Sequence, residues 1–292
     1  MILVTGATGQ FGSKVVEHLL KKGVNAKDIS VLVRDSSKAI SLKEKGIQIN
    51  VGSYDDPDSM EKAFIGVDQL LLVSSNNRES FGNRTLHHKN VIDAAGKAKV
   101  KHIIYTSFVR KPNYQDSAIA EFQNSHFESE NFLKNSGMEY TIMQNAIYAE
   151  MIFAFMGNNV AETANIFFPA GNGKASWVLR DELAEAAAHV LTTEGHKNKT
   201  YSLTNTESVG FSAIAQNISE VFNKTVKYKS PDVNEFRSLM EKTGVPEVYI
   251  SMLTMWGTAL AQQTMDKEDE TLSAFLKRKP TSVSQFLEKI YS

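Results

Sequence analysis

Residues 1–12 read Met1-Ile-Leu-Val-Thr-Gly-Ala-Thr-Gly-Gln-Phe-Gly12. Ile2 to Thr5 is a short apolar, β-branched run of the kind that forms a buried strand, and it breaks at Gly6. A helical pattern starts near Gln10, with Val15, Val16, Leu19 and Leu20 on one face. In a strand–turn–helix setting the three glycines have separate tasks. Gly6 permits the tight turn, Gly9 lets a pyrophosphate approach the backbone, and Gly12 lets the helix pack close to the strand. The helix N-terminus adds unpaired N–H groups and a positive dipole end. The expectation is a dinucleotide site; the alternative is an ordinary glycine-rich turn.

Working outward, Ile29–Val33 reads as a second strand ending at Arg34-Asp35, with Ser36 or Ser37 capping a helix through Glu44. Further strands are expected at Ile47–Val51, Gln69–Val73, His102–Thr106 and Glu139–Met143. The helices between them lie at Pro57–Phe64, Asn83–Ala98 and Ala118–Asn135. Gln69-Leu-Leu-Leu-Val73 is unbroken and apolar, as suits a central strand covered on both faces. The alternation predicts an α/β fold of the Rossmann type, a doubly wound parallel sheet over residues 1–146. Residues 147–292 are less regular and are expected to form a smaller, mainly helical lobe closing a cleft at the strand ends, with some segments returning to the core. Its expected helices are Tyr148–Val160, Arg180–Leu191, Phe211–Phe222, two within Asp232–Gln263, and Ser284–Ile290. Phe167–Gly173 reads as a turn, Tyr201–Thr204 as a short strand and Val226–Lys229 as an edge strand.

Composition narrows the function classes. The 292 residues carry 32 basic and 33 acidic groups, net −1, which offers no electrostatic footprint for nucleic acid or an anionic membrane. There is no cysteine, so thiolate nucleophiles and Cys-based metal sites are excluded, and a reducing cytoplasmic home fits. No apolar run nears membrane-spanning length, and the strand at Ile2 leaves no room for a signal peptide. His87-His88 and the other histidines show no metal-ligand spacing, so no metal is expected.

The candidate chemistry starts at Arg34. Where an NAD site places an acidic residue for the ribose 2′-hydroxyl, Arg34 suits a 2′-phosphate, with Lys38 as a second cation; the cofactor expected is NADP, NADPH in preference to NADH. Asp35 serves either a free ribose or a helix cap, and Arg34 is otherwise a solvated strand-end residue. None of the nine tyrosines has a Lys four residues on, which argues against alcohol–ketone and epimerase chemistry that moves a proton in step with the hydride. Reduction of an electron-poor quinone demands less acid help. His126 and Glu130 share a helix face at i, i+4: His126 is a proton donor or ribose contact, or the two form an exposed surface pair. Asn145 and Tyr148 follow the sixth strand and either bond the carboxamide or substrate oxygen or pack. Phe153, Phe155, Phe167, Phe168, Trp177 and Trp256 line an aromatic pocket or the core.

These residues resemble the atypical short-chain dehydrogenase/reductases of the NmrA-like group, nearest to type-2 NAD(P)H:quinone oxidoreductases and triphenylmethane reductases. The likeness rests on Val4–Gly12, Leu32-Val-Arg-Asp-Ser-Ser-Lys38, Leu70–Ser75, His126–Glu130, Ser136–Ile142, Asn145–Tyr148 and Lys279–Leu287. It implies a cytoplasmic NADPH-dependent reductase acting on quinone-like or other electron-poor aromatic acceptors, with a homodimer compatible. The other implied reading is a non-catalytic NADP(H) sensor that regulates a partner. By resemblance Thr8, Gln10 and Phe11 join the pyrophosphate loop, Arg34 meets the 2′-phosphate, Tyr54 and Asp55 flank the adenine, and Ser74 and Ser75 pass under the nicotinamide side. The expected catalytic residues are Asn145, Tyr148 and His126. The pattern often carries Arg, Gly and Trp where this chain has Gln144, Ala146 and Ile147.

Overall fold

A computed structural model describes residues 1–75, 83–157 and 159–291. Six strands run in chain order: β1 (Ile2–Thr5), β2 (Ile29–Val33), β3 (Gln48–Val51), β4 (Gln69–Leu72), β5 (His102–Phe108) and β6 (Glu139–Asn145). With the strand Lys199–Leu203 they make one seven-stranded sheet, ordered β3-β2-β1-β4-β5-β6 and then Lys199–Leu203. The β1–β2, β2–β3, β1–β4, β4–β5 and β5–β6 pairs are all parallel. This is the expected Rossmann-type sheet. β2 and β5 are buried at every position, and β4, which reads as an unbroken apolar run, is buried at all but its first residue, as suits strands covered on both faces.

Helices α1 (Gly12–Lys21), α2 (Ile40–Glu44), α3 (Pro57–Ala63), α4 (Arg84–Lys97) and α5 (Ala120–Lys134) connect these strands. In α1, Val15, Val16 and Leu19 are buried as predicted. The first helix starts at Gly12 rather than Gln10. The helical turn Ser36–Ala39 that leads into α2 is capped by Asp35, not Ser36 or Ser37: the Asp35 carboxylate accepts from the Ser37 backbone N–H at 2.9 Å and from the Ser37 hydroxyl at 2.6 Å. A short carboxylate on extended backbone reaches the first free N–H groups of the turn, which is what a cap requires.

The chain divides into two compact units. The first comprises residues 1–108, 124–145 and 180–202; the second comprises 109–123, 146–179 and 203–292. Within the second unit the expected Tyr148–Val160 helix is two pieces, Met151–Met156 and Val160–Thr163. Gly157, at φ +79°, ends the first piece because that backbone cannot continue a right-handed helix. Phe167, expected as the first residue of a turn, ends the strand Asn165–Phe167, which pairs in parallel with Lys227–Lys229. The helices Val233–Lys242 and Glu247–Ala261 break around Gly244–Pro246 as expected. A helix at Thr271–Leu276 had no strong signal in the sequence. Phe168, Trp177 and Phe155 are core, with Phe155 stacked on Phe168 at 5.0 Å, so burial claims these three rather than a ligand pocket. Among the described residues no helix is long and apolar enough to cross a membrane.

Candidate active site at the carboxyl ends of the strands

Because the strands are parallel, their carboxyl ends gather the loop after β1, Arg34 after β2, Val73–Ser75 after β4, Ser107 near the end of β5 and Asn145 at the end of β6 on one side of the sheet. Gly6 takes φ +61°, and its carbonyl accepts the Gly9 N–H at 2.9 Å, closing the turn. A Cβ on Gly12 would lie 2.4 Å from the Gly6 oxygen, so the helix start is seated directly on the turn's backbone. A Cβ on Gly9 would meet only the Gly6 oxygen within 4 Å, at 3.2 Å. The absent side chain at Gly9 leaves room above an exposed loop edge formed with Thr8 and Gln10. The Phe11 side chain is buried, so it anchors the loop while its backbone lines it.

Arg34 and Lys38 are exposed. Hydrogen bonds from Ser37 hold the Asp35 carboxyl below its usual range, and the same bonds engage Asp35 as a cap. One cation beside the loop had no local signal in the sequence: Arg180 Nη1 donates to Gln10 Oε1 at 2.6 Å. Arg180 opens the helix Arg180–Thr192, which packs on α1, where the half-exposed Asp181 carboxylate bonds His18 Nε2 at 3.1 Å.

The Tyr54 side chain is turned inward to the fold, whereas the Asp55 carboxylate is 71% exposed. The Tyr54 hydroxyl lies 2.5 Å from Thr5 Oγ1 and donates to the Val73 carbonyl at 2.8 Å, and burial pushes its phenol pKa up. Asp55 Oδ1 accepts from His87 Nε2 at 2.6 Å.

His126 and Glu130 are not an exposed pair; only 3% and 0% of each is accessible. The i, i+4 face they share is turned into the protein, which removes the exposed-pair alternative that spacing alone had left open. The Tyr105 hydroxyl lies 2.7 Å from His126 Nδ1. Glu130 accepts from Ser107 Oγ at 2.6 Å and from Gln144 Nε2 at 3.1 Å. Asn145 is the last residue of β6 rather than the residue after the strand, in register with Phe108 on β5. It is buried, and neither its Oδ1 nor its Nδ2 has a hydrogen-bond partner among the described residues. Two unpaired polar atoms at a strand end are costly in a folded chain. Tyr148 belongs to the second unit, where it forms an isolated parallel bridge with Val178.

His88 is fully buried, and its pKa is pushed down to about 3 by burial, with the charges of Arg84 and His87 adding to the effect. The folded value lies below the unfolded one. The stabilisation from neutral His88 is therefore complete above about pH 6.5 and is lost as pH falls towards 3, at up to about 1.4 kcal/mol per pH unit. Thermal unfolding between pH 6.5 and 4 should show a shallower pH dependence in His88→Gln than in the parent chain. Parallel curves would rule His88 out as a source of acid sensitivity.

Residues 1–287 match the NmrA-like family across almost the whole chain. The chain belongs to the NmrA-like family. A triphenylmethane reductase from Citrobacter sp., solved as a complex with NADP(H), superposes with a TM-score of 0.91 at 34% identity and covers all of both chains. An NADPH-dependent quinone oxidoreductase of Escherichia coli, solved with NADPH, gives 0.90 at 30% identity, again over all of both chains. Quinone oxidoreductase 2 of Escherichia coli (strain K12) is 31% identical over 292 residues, all of this chain and 99% of that protein. In this NmrA-like chain the glycine loop, Arg34 and the strand-end amide of Asn145 occupy the edge where open parallel sheets bind dinucleotides.

Proposed function

We propose that this protein is an NADPH-dependent reductase that delivers hydride to a quinone-like or other electron-poor aromatic acceptor, and that the first unit holds the cofactor. The chain is an NAD(P)H-dependent oxidoreductase that binds NADP(H), in keeping with its relatives. The observation that carries the proposal is Asn145: a buried amide with two unpartnered atoms, at the strand end on the nicotinamide side of the topological switch between β1 and β4.

Bound, the reduced nicotinamide supplies the hydride. The loop N–H groups around Gly6–Gly12 and the dipole of α1 hold the pyrophosphate, with Arg180 adding positive charge through its bond to Gln10. Arg34, aided by Lys38, faces the 2′-phosphate. Asn145 fixes the carboxamide or the acceptor oxygen by satisfying its own orphan donor and acceptor there. His126, in contact with the Tyr105 hydroxyl, is the proposed source of modest acid assistance. No tyrosine in the sequence has a lysine four residues on, which favours acceptors whose reduced oxygen is already weakly basic. A cytoplasmic location belongs to the same reading.

Mixing the protein with NADPH and a panel of quinones and cationic dyes should consume NADPH catalytically. If NADPH binds but no acceptor raises its oxidation above the buffer rate, the reductase reading fails and a sensor role takes its place. The same assay tests Asn145. Asn145→Leu removes two unpaired buried polar atoms, so it should raise thermal stability by about 1 kcal/mol while cutting kcat/KM at least about tenfold. Unchanged turnover in this variant would remove Asn145 from the site.

A further inference from the structure

The three residues after β4 are irregular backbone, and their polar groups are held by side chains. The Val73 N–H donates to Thr5 Oγ1 at 2.9 Å, and the Val73 carbonyl accepts from Tyr54. The Ser74 N–H donates to Thr106 Oγ1 at 2.9 Å. The Ser75 N–H donates to His88 Nε2 at 2.9 Å, and the Ser75 carbonyl accepts from Arg84 Nε at 2.9 Å. The Ser75 hydroxyl is also held, 3.2 Å from His87 Nδ1. These partners come from β1, β5, α4 and the loop after β3.

Buried backbone groups outside a ladder need such partners, but the two on Ser75 are costly choices. Arg84 is a cation only 3% exposed, at the N-terminal end of α4, where the helix dipole disfavours positive charge. His88 must stay neutral to accept from an N–H. Its tautomer is set from behind: Nδ1 faces Ser129 Oγ at 2.8 Å, and the Ser129 hydroxyl donates to the Ser125 carbonyl at 2.6 Å. The Val73–Ser75 segment also abuts the phosphate loop, since a Cβ on Gly6 would touch Val73 Cβ at 3.4 Å. In the observed strand order this segment lies on the β4 side of β1, the side that receives the nicotinamide half of a dinucleotide.

We propose that Arg84 and His88 are positioning residues: by gripping the two backbone polar atoms of Ser75 they hold Val73–Ser75 as the rigid floor under the nicotinamide half of the cofactor. This gives a task to the His87-His88 pair that metal chemistry does not explain, and it rests on the NADP(H) reading above. The floor acts on one half of the cofactor only, and that is what a test can isolate.

NADPH and adenosine 2′,5′-bisphosphate, which carries only the adenosine end, are titrated into the full-length chain and into His88→Leu, His88→Gln, Arg84→Met and Thr106→Val. Loss of a grip should weaken NADPH by about tenfold while leaving the bisphosphate within about twofold, and His88→Gln, which keeps an acceptor near the Nε2 position, should recover most of the loss. Thr106→Val is nearly isosteric and cuts the neighbouring Ser74 bond, so it reads the same floor if His88→Leu or Arg84→Met fails to fold. Equal weakening of both ligands means a general structural role and overturns the proposal. So does a loss of NADPH affinity below about threefold in every folded variant. A parent chain that binds neither ligand would instead remove the cofactor reading, and the floor with it.

Discussion

Gly12→Ala should abolish useful cofactor binding and destabilise the fold together. The new methyl carbon would sit 2.4 Å from the Gly6 oxygen, 2.7 Å from its carbonyl carbon and 2.9 Å from Ala7 Cα. All three are backbone atoms of a turn closed by the Gly9 N–H to Gly6 bond, so no side chain can swing away to make room. Either the first turn of α1 lifts or the turn opens, and both move the N–H groups that face the pyrophosphate. The expected loss is about 100-fold or more in NADPH affinity, with about 1–3 kcal/mol of overpacking strain lowering the thermal midpoint. Gly9→Ala is the control. Its methyl would meet only the Gly6 oxygen, at 3.2 Å, so stability should change by less than about 1 kcal/mol, whereas affinity should fall because the room for the pyrophosphate is filled. Calorimetric unfolding and NADPH titration of the two variants separate packing from binding. A Gly12→Ala chain with parental stability and affinity would show that the loop is not seated as described.

The second large effect is on cofactor choice. Arg34→Ala should weaken NADPH by between about 10- and 100-fold, the size of one or two charge-assisted hydrogen bonds, and NADH by no more than about threefold. The neighbouring carboxylate makes the case sharper. Asp35 accepts two hydrogen bonds from Ser37 as the cap of the turn leading into α2, so binding a free ribose 2′-hydroxyl would mean giving up bonds that start the turn. Arg34, exposed at the end of β2, has no such conflict. Its contribution should also shrink as salt rises, as for any exposed charge. Fluorescence titration with both nucleotides at two ionic strengths measures this, and equal losses for NADPH and NADH would take the 2′-phosphate away from Arg34.

Much of the fold was legible in the residues because the signals are local. Ile2–Thr5 and Ile29–Val33 are strands with the expected ends, and the break around Gly244–Pro246 falls where expected, whereas the break at Gly157 inside the expected Tyr148–Val160 helix was missed. The candidate chemistry was legible by type, since a glycine turn and an arginine after the second strand lie close to one another in the chain. Environment was not legible. The i, i+4 spacing of His126 and Glu130 is the same on an exposed face as on a buried one, and only packing against Tyr105, Ser107 and Gln144 shows which it is. Arg180 reaches Gln10 across 170 positions, and Arg84 and His88 find their purpose in Ser75. By itself, then, the sequence determined the parallel sheet, the glycine turn between the first strand and the first helix, and a cation at the end of the second strand. Each depends on backbone freedom, hydrophobic periodicity or side-chain charge that neighbouring residues express. The tertiary structure decided which polar groups are buried, which are satisfied and which, like the Asn145 amide, are left unpaired, because those properties arise only when distant segments close around one another and exclude water.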